Sequence, residues 1–177
     1  MYIDHVQMAG GVLKTVPLTV NDKKGWSFDP EQLRKTLSKK TKLMILNNPH
    51  NPTGKLFSRD ELQTITDILK DFPDCMVLAD EVYDFLTYDG GEHVRFATLG
   101  DNWNRTITIY SGGKLFNATG WKVGWAIAHP KLLRLGGIIN SGLFYCVNNP
   151  GQIAMSKALP LAERENLDGD GKPSFVA

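Results

Sequence analysis

The sequence predicts an α/β fold with three layers, α/β/α, built around a mostly parallel sheet. Short apolar runs that are typical of buried strands alternate with segments whose apolar residues recur at helical spacing. Some of these runs are apolar throughout, as strands are when helices cover both faces of a parallel sheet. Polar residues and glycines follow the runs, at the sheet edge where open α/β sheets place their ligand sites. Together, these three observations favour an α/β layered domain.

The composition is that of a folded domain and excludes several classes of function. The 177 residues carry a formal net charge of +1, and 42% of them are hydrophobic. We expect no binding to nucleic acid or to a membrane surface, because both need clustered positive charge. Two cysteines indicate a reducing compartment, and the four scattered histidines predict no metal site. The expected location is cytoplasmic, or mitochondrial if a transit peptide precedes the chain.

The first part of the chain is predicted to alternate between strands and helices. Residues 12–18 predict a strand, and residues 42–46 predict a buried one. Between them, Asp29 and Pro30 are typical of a helix start. Ser58 and Glu61 form a capping box before a helix with one apolar face, made of Leu62, Ile65, Leu69 and Phe72.

The loop at residues 47–54 holds the first candidate ligand-binding side chain. It contains Asn-Pro twice, at Asn48 and Asn51, so its backbone is restricted. One interpretation is an ordinary Asn/Pro turn. The other is that the Asn51 amide is held at the carboxyl end of a strand, where it could donate to a ligand oxygen.

The strand predicted at residues 75–79 ends at a carboxylate. Asp80 follows an apolar run, where a charge is costly unless it is paired, and Tyr83 lies three residues further on. The sequence leaves two interpretations open. Asp80 either caps a following helix with Tyr83 in the core, or both residues face a ligand site.

The strand predicted at residues 106–110 leads into Ser111, two glycines and Lys114. A lysine here can form an imine, and Ser111 offers a hydroxyl to an anion. A solvated turn and an SxxK serine enzyme are the alternatives. Further on, the sequence predicts a turn containing Lys122, a strand ending at residue 128, and helices over residues 130–146 and 151–164.

Four of these segments, read in order, resemble one enzyme family. NNPHNPTG, DEVY, SGGK and TGWKVGW are similar to the motifs of class I, fold-type I aminotransferases that use pyridoxal 5'-phosphate (PLP). The run from MAGG to PKLL is most similar to the kynurenine aminotransferase and cysteine-conjugate β-lyase group. Each motif is modest alone, but the four in this order are highly specific.

The resemblance implies a role for each candidate residue. Lys114 would hold PLP covalently and act as the catalytic base, and Asp80 would pair with the pyridine nitrogen. Asn51 and Tyr83 would bind the phenolic oxygen of the cofactor, and Asn51 would also contact the substrate carboxylate. The phosphate would be bound by Ser111 and Lys122. The implied reaction moves an amino group from kynurenine, glutamine or an aromatic amino acid to a 2-oxo acid, with cysteine-conjugate β-elimination as a side activity.

Compared with the family pattern, the chain looks like part of a large domain. The resemblance implies that residues 1–165 form a partial PLP-binding domain of a homodimer, and that residues 166–177 are a flexible segment where the chain is cut. The ring-stacking aromatic and the carboxylate-binding arginine of the family have no match here. A non-catalytic fragment or pseudoenzyme is therefore an alternative, and so is an SxxK serine enzyme, although the SDN and KTG elements of that class are missing.

Overall fold

The computed structural model describes residues 2–21 and 25–168 and confirms an α/β fold. Six helices occur in this part of the chain: α1 (Tyr2–Met8), α2 (Pro30–Thr36), α3 (Arg59–Leu69), α4 (Gly112–Leu115), α5 (Pro130–Leu143) and α6 (Asn149–Asp168). The described strands are β1 (Thr19–Asn21), β2 (Gly25–Ser27), β3 (Leu43–Asn47), β4 (Met76–Asp80), β5 (Thr106–Ser111) and β6 (Gly124–Ala128). None of the described helices is long and apolar enough to cross a membrane.

The central sheet has four strands in the order β3-β4-β5-β6. The strands β3, β4 and β5 are parallel, and β6 is antiparallel to β5. The prediction of a mostly parallel sheet is thus confirmed. Because β3, β4 and β5 run in the same direction, their carboxyl ends lie at one edge of the sheet, and β1 and β2 form a separate antiparallel pair.

Local signals explain why α3 begins where it does. The Ser58 hydroxyl accepts from the Glu61 N–H at 3.2 Å, and the Glu61 carboxylate accepts from the Ser58 N–H at 2.9 Å. This is the predicted capping box, which satisfies two N–H groups that a helix start leaves unpaired. Lys55 adds an ion pair to Glu61 at 2.8 Å. Three of the four predicted apolar positions are fully buried, and Phe72 is partly buried against them.

The main core lies between α2, α3 and one face of the sheet. On this face β4 contributes Val77 and Ala79, which are both fully buried. Side chains alternate along a strand, so Asp80 faces the opposite side of the sheet. The core residues are Leu33, Leu37, Leu46, Phe57, Leu62, Ile65, Ile68, Leu69, Cys75, Val77, Ala79, Val94, Phe96 and Leu99.

The strand predicted at residues 12–18 is wrong. This segment forms no ladder, and the first strand begins at Thr19. Pro17 has no N–H to donate to a neighbouring strand, and Val12 is 82% exposed. Val16 and Leu18 pack against the core without strand pairing.

The carboxyl-terminal helices follow the predicted pattern with shifted ends. The helix α5 ends at Leu143, three residues before the predicted end, and α6 runs from Asn149 to Asp168. Of the predicted C-terminal segment, residues 169–177 lie outside the described residues.

Candidate active site

Asn51 is held at the carboxyl end of β3 by the residue that ends this strand. The Asn47 side chain accepts from the Asn51 N–H at 2.8 Å and donates to the carbonyl of Asp80 at 3.0 Å. The exposed Asn51 amide then donates to the Tyr83 hydroxyl at 3.0 Å. The loop is therefore tied to the end of β4, and the Asn51 side chain points to Tyr83.

Asp80 ends β4 with one carboxylate oxygen bound and the other unpaired. The Tyr2 hydroxyl donates to Oδ2 of Asp80 at 2.5 Å, while Oδ1 is buried and has no hydrogen-bond partner among the described residues. Burial and the bond to Asp80 raise the pKa of Tyr2, so this hydroxyl stays a donor. Residues 82–85 form turns, so the interpretation of Asp80 as a helix cap is wrong.

Tyr83 connects the Asn51 loop to the predicted catalytic lysine. The Lys114 ammonium lies 5.8 Å from the centre of the Tyr83 ring, within the range of a cation–π contact. The same tyrosine accepts from Asn51 through its hydroxyl. Residues from three separate segments of the chain, namely Asn51, Tyr83 and Lys114, thus form one continuous set of contacts.

Lys114 lies in a short helical turn, α4, whereas the sequence predicts a loop. This turn packs tightly against the turn at residues 119–121. A Cβ on Gly113 would lie 2.7 Å from the Cα of Thr119, so no other residue fits without a backbone shift. The Gly113 carbonyl accepts from the Ala118 N–H at 2.9 Å, and the Gly112 N–H donates to the Val123 carbonyl at 3.1 Å. The SGGK and TGWK segments are therefore neighbours.

Ser111 and Lys122 are brought near this region by the backbone. Ser111 is the last residue of β5, pairs in register with Gly124 of β6, and precedes α4 directly. Lys122 has a left-handed backbone, with φ of 55°, and its N–H donates to the Thr119 carbonyl at 3.4 Å. Among the described residues, the contacts join Asn51, Tyr83 and Lys114 directly, but none links the Lys122 side chain to them.

Sequence reasoning missed two residues of this site. Tyr2 binds Asp80 from 78 positions away, and no local pattern marks it. Asn47 could have been found, because it begins the polar loop after an apolar run and its amide can bond the backbone two or more residues away.

The described residues fit the polar groups of PLP. The unpaired Oδ1 of Asp80 is the acceptor that a protonated pyridine nitrogen needs, and leaving it unpaired is otherwise costly. Asn51 and Tyr83 can donate hydrogen bonds to the phenolic oxygen of PLP, and Lys114 has the amine that can form an imine with the PLP aldehyde. This donor set matches the cofactor that the resemblance implies.

Comparisons with known proteins agree with the motifs and the fold. The sequence profile of aminotransferase class I and II matches residues 1–170. The chain is 44% identical to kynurenine–oxoglutarate transaminase from Dictyostelium discoideum, covering 90% of this chain and 40% of that protein. It is 43% identical to kynurenine–oxoglutarate transaminase 3 from Mus musculus, covering 89% of this chain and 36% of that protein.

Solved structures support the same assignment. N-succinyldiaminopimelate aminotransferase from Mycobacterium tuberculosis superimposes with a TM-score of 0.85 at 38% identity, covering 90% of this chain and 41% of that one. Aspartate aminotransferase from Thermus thermophilus gives a TM-score of 0.83 at 27% identity, covering 94% and 42%. The chain thus spans about two fifths of the length of the curated relatives it matches first. Because the profile, the relatives and the fold agree over nearly all of its residues, the chain belongs to the class I and II aminotransferase family.

Proposed function

We propose that this chain carries the PLP-binding part of a transaminase that uses Lys114 as its catalytic base. The observation that supports this most directly is the buried, unpaired Oδ1 of Asp80, close to a contact chain that ends at Lys114. A cationic ring N–H bound there would supply the hydrogen bond that this buried acceptor lacks. An SxxK serine enzyme, by contrast, would provide no partner for the Asp80 carboxylate.

The chemistry requires one electron sink and several positioned side chains. When bound, PLP supplies a ring that withdraws electrons from the substrate Cα, so that its proton can leave. Lys114 takes this proton and returns one during amino transfer, as a general base and acid. Asp80 keeps the ring nitrogen protonated through a charge-assisted hydrogen bond, and Tyr2 orients the Asp80 carboxylate from the other oxygen.

The remaining residues would bind the cofactor and orient the substrate. Tyr83 and Asn51, which bond each other, would bind the phenolic oxygen. Asn51 would also reach the substrate carboxylate. Ser111 binds the phosphate by its hydroxyl, and Lys122 does so by its charge. The proposed substrates are an amino acid of the kynurenine, glutamine or aromatic type and a 2-oxo acid. Cysteine-conjugate β-elimination is the proposed side reaction, and a homodimer is the proposed assembly.

Reductive labelling tests the proposal. The 177-residue chain is incubated with PLP, reduced with borohydride, digested and mapped by mass spectrometry. We expect the pyridoxyl label on Lys114, and we expect Lys114→Ala to lose it. Lys131→Ala, which removes a lysine from the first turn of α5, is the matched control and should keep the label.

Two outcomes would contradict the proposal. A label found mainly on Lys122 or spread over surface lysines would show that Lys114 is not the reactive amine. The absence of any label in a folded chain would favour the non-catalytic alternative. If Lys114 is labelled, amino transfer from kynurenine and from glutamine to a 2-oxo acid then identifies the donor class.

A further inference from the structure

A second cluster of buried polar side chains lies behind β4, on the side away from Asp80. Glu81 is only 1% exposed, and the His93 side chain is 6% exposed. Tyr110 donates to Glu81 at 3.1 Å, and the Phe96 N–H donates to it at 3.0 Å. None of these groups has a role in the proposed chemistry. Burying a carboxyl group and an imidazole costs free energy, so we expect this cluster to have a role of its own.

His93 reaches from this cluster to the backbone of the loop that carries Asn51. Its Nε2 is 3.1 Å from the carbonyl oxygen of Asn48 and 3.9 Å from Oε2 of Glu81. A carbonyl can only accept, so Nε2 carries the proton and donates it to Asn48. Burial lowers the pKa of His93, which favours the neutral ring with this one proton on Nε2.

Asn48 is a junction between three parts of the chain. Its N–H donates to the Asp80 carbonyl at 3.0 Å, and its side-chain oxygen accepts from the Phe57 N–H at 3.0 Å. Its own carbonyl accepts from His93. The preceding residue, Asn47, bonds the N–H of Asn51. A shift at Asn48 would therefore move the backbone that sets the direction of the Asn51 side chain.

We propose that His93 is a positioning residue that fixes the Asn48–Asn51 backbone and thereby the contact between Asn51 and Tyr83. The inference rests on the proposed function for its consequence, because Asn51 and Tyr83 are the residues that would bind the cofactor. The fixing of the loop itself is a property of the chain without any cofactor. His93 does not touch the site and acts only through Asn48.

Hydrogen–deuterium exchange on the cofactor-free 177-residue chain tests the positioning. His93→Phe keeps a ring but removes the hydrogen-bond donor. In this variant we expect the amide hydrogens of Asn51 and Gly54 to exchange about tenfold faster, which corresponds to the loss of one hydrogen bond. His93→Gln can donate from its side-chain amide and should restore most of the protection. His129→Gln is the matched control, since His129 caps α5 through the Lys131 N–H.

A spectroscopic measurement links the loop to the site. With PLP added, we expect His93→Phe to weaken cofactor binding about tenfold and to shift the pH profile of the bound cofactor's absorbance, while His93→Gln stays near wild type. A purely structural role would lower stability without this shift. If His93→Phe does not fold, His93→Asn replaces it, because its shorter amide cannot span the distance that Gln can.

The outcomes separate this inference from the proposed function. Loop amides that exchange at the wild-type rate in His93→Phe, or that speed up only in step with the whole sheet, would overturn the positioning role. Equal behaviour of the Gln and Asn variants would also overturn it. Faster loop exchange in a chain whose Lys114 never takes a pyridoxyl label would support the positioning role and reject the proposed function.

Discussion

The buried Glu81 carboxyl group makes the stability of this chain depend on pH, and Glu81→Gln should remove that dependence. Desolvation raises the pKa of Glu81 from 4.5 to about 7, against the opposing hydrogen bonds from Phe96 and Tyr110. Between pH 4.5 and about 7, Glu81 therefore keeps its proton in the folded state and loses it in the unfolded state. Stability from this group is fully present below pH 4.5 and is lost as the pH rises through about 7.

The magnitude follows from the size of the shift. A change from 4.5 to about 7 corresponds to about 3 kcal/mol, because one pKa unit is about 1.4 kcal/mol. Urea unfolding, followed by fluorescence of the four tryptophans, gives the free energy of unfolding of both proteins between pH 4.5 and 8. The stability of wild type relative to Glu81→Gln should fall by about 3 kcal/mol over this range. Other titrating groups occur in both proteins and largely cancel in the difference.

The control is the same chemical change on an exposed neighbour. Glu92 is exposed and one position from His93, so Glu92→Gln should leave the pH dependence of wild type nearly unchanged. A relative stability of Glu81→Gln that varies by less than about 1 kcal/mol over the range would refute the reasoning. A difference that grows in the opposite direction, with wild type gaining stability as the pH rises, would refute it too.

Two further predictions concern the site and the turn beside it. Asp80→Ala should keep the borohydride-dependent label on Lys114 but lose most of the single-turnover amino transfer, because an unprotonated ring accepts electrons poorly. Amino transfer at a near wild-type rate would show that Asp80 is not the partner of the pyridine nitrogen. Gly113→Ala should destabilise the chain by about 1–3 kcal/mol in urea, because its Cβ would meet the Thr119 backbone at 2.7 Å. Gly136→Ala, in open space within α5, is the control and should be neutral or stabilising by about 0.5–1 kcal/mol, and equal losses in both variants would contradict the steric argument.

The parts of the fold that could be predicted depend on short-range signals. The start of α3 is set by Ser58 and Glu61, three positions apart, so the sequence contains all the information needed. The strands β3 and β4 are apolar runs that end in a polar residue, and β5 is rich in β-branched residues, so the ends of all three could be placed to within one residue. The strand predicted at residues 12–18 was wrong because an apolar composition does not by itself provide a neighbouring strand to pair with.

The parts of the site that could not be predicted depend on long-range contacts. Tyr2 and Asp80 are 78 positions apart, and His93 meets Asn48 from 45 positions away. The segment after Asp80 forms turns, and the Glu81 N–H at its start donates to the Ile109 carbonyl at 3.2 Å, whereas the sequence permits a helix start there. Residue types and their order could identify the chemistry, but the partners of each group required the folded backbone.

The end of β4 explains why the site and the cluster behind it are adjacent. Because side chains alternate along a strand, the consecutive carboxyl groups of Asp80 and Glu81 face opposite sides of the sheet. The Asp80 carbonyl accepts from both the Asn47 side chain and the Asn48 N–H, so the loop is anchored to the residue that carries the unpaired carboxylate oxygen. Glu81 stands next to His93, which holds the same loop from the other side. A change on either side of this strand end therefore reaches Asn51 through the same two residues, Asn47 and Asn48.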